Sequence, residues 1–378
     1  MTVTRGGRAG LSCCALTVVA ASLTACGGQP SPTSRQAGTQ APARAAPPGA
    51  VARLSLRRQV GELLILSFHG GRAPAYVRAI LRDGTAGGTI LFGDNVQSAS
   101  QLRALTRALQ RAAGGSALIA VDQEGGRIRI VPFSAPAVGQ PQLATAARAA
   151  AAARDAASDL RGLGINVNLA PVADVPSSAA VVIRDRAFPG DAASVAELVR
   201  AAARAYAGSR VAATAKHFPG FGAAGVNTDL SPVTIDRSAA RLRGEDLAPF
   251  RAAVDAGVPI VMASHALYPA LDRRRIASQS MPVLDGILRR ELRFTGVVMT
   301  DSIEAVAVRR RSSVQTAAVR SVTAGADIVL MTGPGSFRLI YPRLLAEARR
   351  SPAFRRRVRA AAARVLELKR KLGLPAPA

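Results

Sequence analysis

Tryptophan is absent from this 378-residue sequence, and only 4% of its residues are aromatic. That argues against a wide aromatic platform for sugars and against a base-stacking surface for nucleic acid. Cysteine occurs only at Cys13, Cys14 and Cys26. The body of the chain therefore has neither a disulfide nor a thiol metal site, and an oxidising compartment costs it nothing. Lysine is nearly missing too: Lys216, Lys369 and Lys371 are the only three, although the formal net charge is +26. Arginine carries that charge. Its runs at 273–275, 309–311 and 355–357 are scattered, with no helix-turn-helix, zinc-finger or RNA-binding signature beside them. The positive charge thus reads as a solvated surface facing anionic lipid and wall polymer, and no nucleic-acid partner is expected. No His, Cys and Asp cluster has metal-ligand spacing, so no metal and no cofactor are expected.

The first residues read as an address. Arg5 and Arg8 precede a mostly apolar run from Leu11 to Leu23, too short to span a membrane as a stable helix. It closes on Leu23-Thr24-Ala25-Cys26, followed by Gly27 and Gly28. This resembles the bacterial lipobox, in which cleavage exposes a cysteine that becomes lipidated. Residues 1–25 are thus expected to be a lipoprotein signal peptide, with Cys26 the lipidated residue of a protein held on the outer side of the cell membrane. Residues 26–50 are rich in Pro, Ala, Ser, Thr, Gln and Gly, cannot bury a core, and are expected to form a flexible tether. Residues 51–378 are then the folded body, expected to act as a monomer.

In that body a short apolar run, a polar or glycine break and a helical stretch recur eight times. The predicted strands lie at 62–68, 88–92, 117–122, 165–170, 211–217, 259–264, 296–301 and 326–332. Predicted helices fall at 99–113, 142–162, 192–207, 236–256, 282–292, 338–349 and 354–371. Eight such units predict a single-domain α/β protein, a (β/α)8 TIM-type barrel. An open doubly wound sheet is disfavoured because no Gly-x-Gly-x-x-Gly turn follows the first strand. Asp122, Lys216, His217, His265 and Asp301 all stand at or just past predicted carboxyl ends, which converge on one face of a barrel. Lys216 stands out in an arginine-biased chain, because an ammonium and a guanidinium differ in geometry.

Six segments then occur in order: Val121-Asp122-Gln123-Glu124-Gly125-Gly126-Arg127, Asn168-Leu169-Ala170-Pro171-Val172-Ala173-Asp174, Arg184-Asp185-Arg186-Ala187-Phe188, Lys216-His217-Phe218-Pro219-Gly220, Val261-Met262-Ala263-Ser264-His265 and Gly296-Val297-Val298-Met299-Thr300-Asp301. Together they resemble the single-barrel β-N-acetylglucosaminidases of glycoside hydrolase family 3, over roughly residues 54–372. The resemblance implies that Asp301 is the nucleophile of a retaining glycosidase and that Asp122, Arg186, Lys216 and His217 grip sugar hydroxyls. It implies a terminal β-linked N-acetylglucosamine as substrate, carried on cell-wall fragments. A retaining mechanism needs a carboxylate beneath the anomeric carbon, and neighbouring cations keep it ionised.

Two positions depart from that family. Its loop after Lys-His-Phe-Pro-Gly carries an Asp-x-His pair whose histidine is the general acid/base. Here the matching residues are Asn227-Thr228-Asp229, and neither His69 nor His265 lies in that loop. Ile130 stands where the family places a further arginine, and the adjacent Arg129 points the other way if the segment is extended. The acid is expected from within the barrel, as the eighth unit lies close to the chain's end. Asp229 is either a replacement proton donor or a turn residue. Two readings follow: a hydrolase with an atypical acid/base loop, or a sugar-binding lipoprotein that kept the bowl and lost the donor. Gly220, Gly222 and Gly225 predict a loop free to close over a sugar.

Overall fold

Each of the eight barrel strands of the computed structural model, which describes residues 49–177 and 182–377, overlaps one predicted strand; those at 212–218 and 297–302 run one residue past the predicted ends. The expected signal peptide, the tether up to residue 48 and Cys26 lie outside the described residues. The helix Gly49–Arg53 opens inside the last two residues assigned to the tether, and Val51 within it is buried.

The barrel strands are β1 Leu64–Leu66, β2 Gly88–Ile90, β3 Leu118–Val121, β4 Val167–Asn168, β5 Ala212–Phe218, β6 Ile260–Ala263, β7 Val297–Ser302 and β8 Ile328–Met331. All pair in parallel with their sequence neighbours, and β8 pairs with β1 to close the ring. Between them run α1 Ala75–Arg82, α2 Ala99–Ala112, α3 Ala146–Gly162, α4 Ala192–Ala205, α5 Ala248–Asp255, α6 Pro282–Glu291 and α7 Val314–Ala324, followed by α8 Ser336–Arg350 and α9 Pro352–Lys371. The predicted helix at 236–256 is broken, because a wider turn over Leu242–Asp246 precedes α5.

The strands read as unbroken apolar runs because both their faces are covered. Along β7, Val297 and Met299 point into the barrel while Val298 meets the helices; along β8, Ile328 and Leu330 point inward and Val329 and Met331 outward. The interior cluster is closed at the amino-terminal end of the strands by Val365 and Leu368 of α9 and by Leu372 beyond it. This C-terminal helix is therefore the floor of the barrel.

Ion pairs lock the floor. Buried Asp327, at the foot of β8, accepts from Arg357 at 2.8 Å and Arg364 at 3.0 Å, and also pairs with Arg289. It accepts the Val298 amide as well, which joins β7 to β8. Burial alone raises this carboxyl, but the three guanidiniums outweigh it and hold it below the ordinary range. Lys369, 2% exposed, meets Glu62 at 2.6 Å.

Removing one partner of a buried ion network leaves the others uncompensated, at a cost of about 3–5 kcal/mol. Asp327→Ala is expected to lower unfolding stability by roughly that amount in urea titration. Because its folded pKa is depressed, the Asp327 contribution is present above the unfolded carboxyl pKa and lost as pH falls through the folded one. Asp327→Ala should accordingly lie closest to the parent in acid; a stability gap constant down to low pH would contradict the assignment.

Candidate active site

The carboxyl ends of the strands form a bowl of about 330 Å³. Asp122, at the end of β3, Lys216 and His217 on β5 and Asp301 on β7 all line it. Arg186, from the β4–α4 connection, and Asp229, from the β5–α5 connection, line it too. The fold thus brings together every expected catalytic and sugar-gripping side chain. His265, also expected at this face, is buried behind it and does not line the bowl.

Four of the charged groups form one network. Glu124, 3% exposed, receives both Nε and a terminal nitrogen of Arg186, at 2.9 and 2.7 Å. Lys216 Nζ lies 2.7 Å from the same carboxylate and also donates to Asp122. Burial alone raises Glu124; Lys216 and Arg186 overcome it and hold the carboxyl down at about 2. Lys216, 2% exposed, is pushed down by burial and up more strongly by Asp122 and Glu124, so it stays charged. A compact ammonium fits between two carboxylates where a planar fork does not, which explains a lysine here. Lys369 on the floor is likewise buried, against the single carboxylate of Glu62, so two of the chain's three lysines are buried ion-pair partners.

The histidines are held in defined orientations. Buried Asp174 accepts the backbone amides of His217 and Phe221, at 3.1 and 2.6 Å, and stands 2.8 Å from His217 Nδ1. Nδ1 is therefore the donor, which leaves Nε2 as the ring nitrogen free of that carboxylate. His265 Nε2 lies 2.8 Å from the Ser302 carbonyl, which can only accept, and Nδ1 lies 2.7 Å from the Ser278 hydroxyl. Burial lowers the His265 pKa, against the opposing pull of Asp301. Nε2 therefore carries a proton, directed at the Ser302 carbonyl.

The two expected catalytic carboxyls sit in opposite environments. Burial pushes Asp301 up, but His217, His265, the Ser302 amide at 2.7 Å and Lys216 together hold it below the ordinary carboxylate range. Asp229 is raised, first by desolvation and then by the negative charge of Asp301. Solvent reaches one side of this residue, yet its carboxyl lines the bowl. Its amide donates to Asn227 Oδ1 at 3.0 Å, and Asn227 Nδ2 donates back to its carboxylate at 3.3 Å. The turn that the sequence permits is formed, and it presents the carboxyl to the bowl. Ala307, in the connection after β7, donates to the Thr228 carbonyl at 3.0 Å and ties this loop to the segment that follows Asp301.

Two of the loop glycines have a different task from the expected freedom of motion. A Cβ on Gly222 would stand 1.8 Å from the Val175 carbonyl oxygen, and one on Gly220, whose φ is +127°, would strike Asp246. Both allow close packing; a Cβ on Gly225 meets open space. The strand Ile128–Arg129 alternates as expected. Ile128 and Ile130 line the bowl, while Arg129 donates away from it to the Ser134 carbonyl.

Glu124 and Asp174 were not among the expected site residues. Glu124 had a signal, since it follows Asp122 by two and an extended segment puts both on one side. Asp174 had none beyond its motif, because its partners are assembled by the fold. Among the described residues no cluster of His, Cys, Asp or Glu is arranged to hold a metal ion.

Comparison with known proteins agrees with this geometry. Residues 55–368 match the family model described as the glycosyl hydrolase family 3 N terminal domain. An uncharacterized secreted glycosyl hydrolase of Arthroderma benhamiae is 36% identical over 293 residues, which are 74% of this chain and 83% of that protein. The β-N-acetylglucosaminidase of family 3 from Paenibacillus superposes with a TM-score of 0.80 at 35% identity, over 85% of this chain; the match spans only 63% of that protein's length. A β-N-acetylhexosaminidase from Beutenbergia cavernae superposes with a TM-score of 0.78 at 32% identity, over 84% of this chain and 99% of that one. Barrel order and sequence agree over this whole length: the chain belongs to glycoside hydrolase family 3, its barrel is that family's N-terminal domain, and it is a glycoside hydrolase.

Proposed function

We propose that this hydrolase removes a terminal β-linked N-acetylglucosamine from glycans, peptidoglycan fragments among them, by a two-step retaining route. Asp301 attacks the anomeric carbon as the bond to the leaving oxygen breaks, and Asp229 gives that oxygen its proton. Water then attacks the same carbon, returns a proton to Asp229 and releases Asp301. Asp122, Arg186, Lys216 and His217 hold the sugar hydroxyls.

The observation that carries this reading is the opposed titration of two carboxyls in one bowl: Asp301 is held down and Asp229 is pushed up. Neighbouring carboxyls driven apart in this way suit the separate roles of nucleophile and proton donor. The apolar wall of Ile128, Ile130 and Met262 suits an acetyl methyl and the C–H edges of a sugar. The names of the Paenibacillus and Beutenbergia proteins support an amino sugar. The secreted Arthroderma relative supports an extracellular address, which lipid on Cys26 turns into a membrane-bound one.

Asp301→Asn should abolish turnover while the melting temperature stays near the parent's. A 2-fluoro glycosyl donor should label the peptide holding Asp301; a label on Asp122 or Asp174 instead would end the assignment.

Loss of a general acid costs ~100 to 10,000-fold, and the loss shrinks as the leaving group improves. Asp229→Ala should therefore impair hydrolysis of a natural disaccharide far more than that of a nitrophenyl glycoside, and azide should partly restore the latter. Activity should rise as pH passes the lowered Asp301 pKa and fall as Asp229 deprotonates above its raised one, and Asp229→Ala should lack the second limb. Equal activity of Asp229→Ala and parent on both substrates would make Asp229 a turn residue and favour the reading in which the bowl holds sugar without a donor on this loop.

Cys26→Ala should release the protein from the membrane fraction or leave it unprocessed. Unchanged fractionation and processing would remove Cys26 as the anchor.

A further inference from the structure

The floor of the barrel, opposite the bowl, carries a feature that hydrolysis does not use. An apolar groove of about 330 Å³ runs there between Ala50 and Leu54 on one side and Leu366, Leu374, Pro375 and Pro377 on the other. Cations edge it. Arg53 and Arg370 line it, and Arg210 lies against Gly373 beside it. Glu367 pairs with Arg370 at 2.6 Å, whereas Arg53 and Arg210 are exposed and have no ion-pair partner among the described residues. The helices that bring the chain down to this floor end in Arg111, Arg161 and Arg204. Each complements the negative end of its own helix. Their charge adds to that of Arg53, Arg210 and Arg370 at this end of the barrel.

The entry point of the chain lies in the same place. Ala50, one residue after the described barrel begins, is part of the groove wall. Whatever precedes the barrel joins it at this face.

We propose that the floor is a docking surface for an anionic lipid bilayer, which turns the bowl away from the membrane. Anionic headgroups match the arginines at this groove. The apolar centre suits the boundary between headgroups and acyl chains, where surface-bound proteins bury such residues. A polyhydroxylated or phosphodiester polymer offers that groove no apolar partner. The inference concerns the folded barrel alone and depends neither on lipid at Cys26 nor on the catalytic assignments.

The test uses the full chain carrying Cys26→Ala, mixed with vesicles of phosphatidylglycerol and phosphatidylcholine or of phosphatidylcholine alone. Cosedimentation should occur only with the anionic vesicles and weaken as salt is added. One basic residue near such a surface contributes ~1 kcal/mol, so neutralising three should cut binding about 100-fold. That loss is expected for Arg53→Gln, Arg210→Gln and Lys371→Gln combined, Lys371 being the exposed cation in the last turn of α9 beside the groove-lining Arg370, with an unchanged melting temperature. Arg273→Gln, Arg274→Gln and Arg275→Gln combined, on the connection after β6 at the bowl's end, should leave binding as it was. Equal losses from the two triple variants would overturn the choice of face, and so would absence of binding to anionic vesicles.

Because the chain has no tryptophan, Ala376→Trp places a single tryptophan, excited selectively over tyrosine, in the groove. Its emission should shift to the blue on anionic vesicles and be quenched by brominated acyl chains, and soluble polyphosphate should do neither. Unshifted emission on bound vesicles would mean that the groove stays in water and would reduce the floor to a general polyanion site.

Discussion

The site depends on keeping one buried carboxylate charged. Glu124 is removed from water yet ionised, because Arg186 and Lys216 both direct nitrogen atoms at it. In return it fixes both cations at the bottom of the bowl, where Asp122 takes the remaining reach of Lys216. The segments involved, the ends of β3 and β5 and the β4–α4 connection, come from distant parts of the sequence, and none of these charges is tolerable in the interior without the others. The same network sets the field around Asp301, which counts Lys216 among the groups that keep it ionised.

Around this fixed centre the two histidines have separate duties, decided by what each ring nitrogen meets. His217 hands one nitrogen to buried Asp174 and lines the bowl. His265 spends both nitrogens on Ser278 and on the Ser302 carbonyl, and the amide of Ser302 in turn holds Asp301. One ring faces the ligand space; the other stiffens the peptide beside the carboxylate. Asp229 stands apart from both, on a turn that leaves it open to water on one side and close enough to Asp301 to feel its charge.

The barrel also separates its two ends by chemistry. The carboxyl ends of the strands carry mixed charge in a polar bowl, while the amino ends are closed by α9 and locked through Asp327 and Glu62. This division follows from parallel strands and from helices that all run the opposite way, so helix carboxyl termini and their arginines collect on the floor.

The sequence alone determined the barrel, because strands covered on both faces must be apolar throughout and their eightfold alternation with helices leaves little other architecture. Of the strand-end groups it offered, Asp122, Lys216, His217 and Asp301 line the bowl, since a parallel barrel sends every strand's carboxyl end to one face, whereas His265 stays behind it; Arg186 and Asp229, which the family resemblance supplied, line it as well. The sideways turn of Arg129 followed from alternation alone. What the tertiary structure decided was pairing. Nothing local says that Glu124 serves two cations, that Asp174 orients His217, or that Asp327 gathers three arginines, because those partners lie tens of residues apart and meet only when the ring closes. The glycines at 220 and 222 show the same limit. In sequence they signal freedom, and in the fold they are small because the Val175 carbonyl and Asp246 leave no room for a side chain.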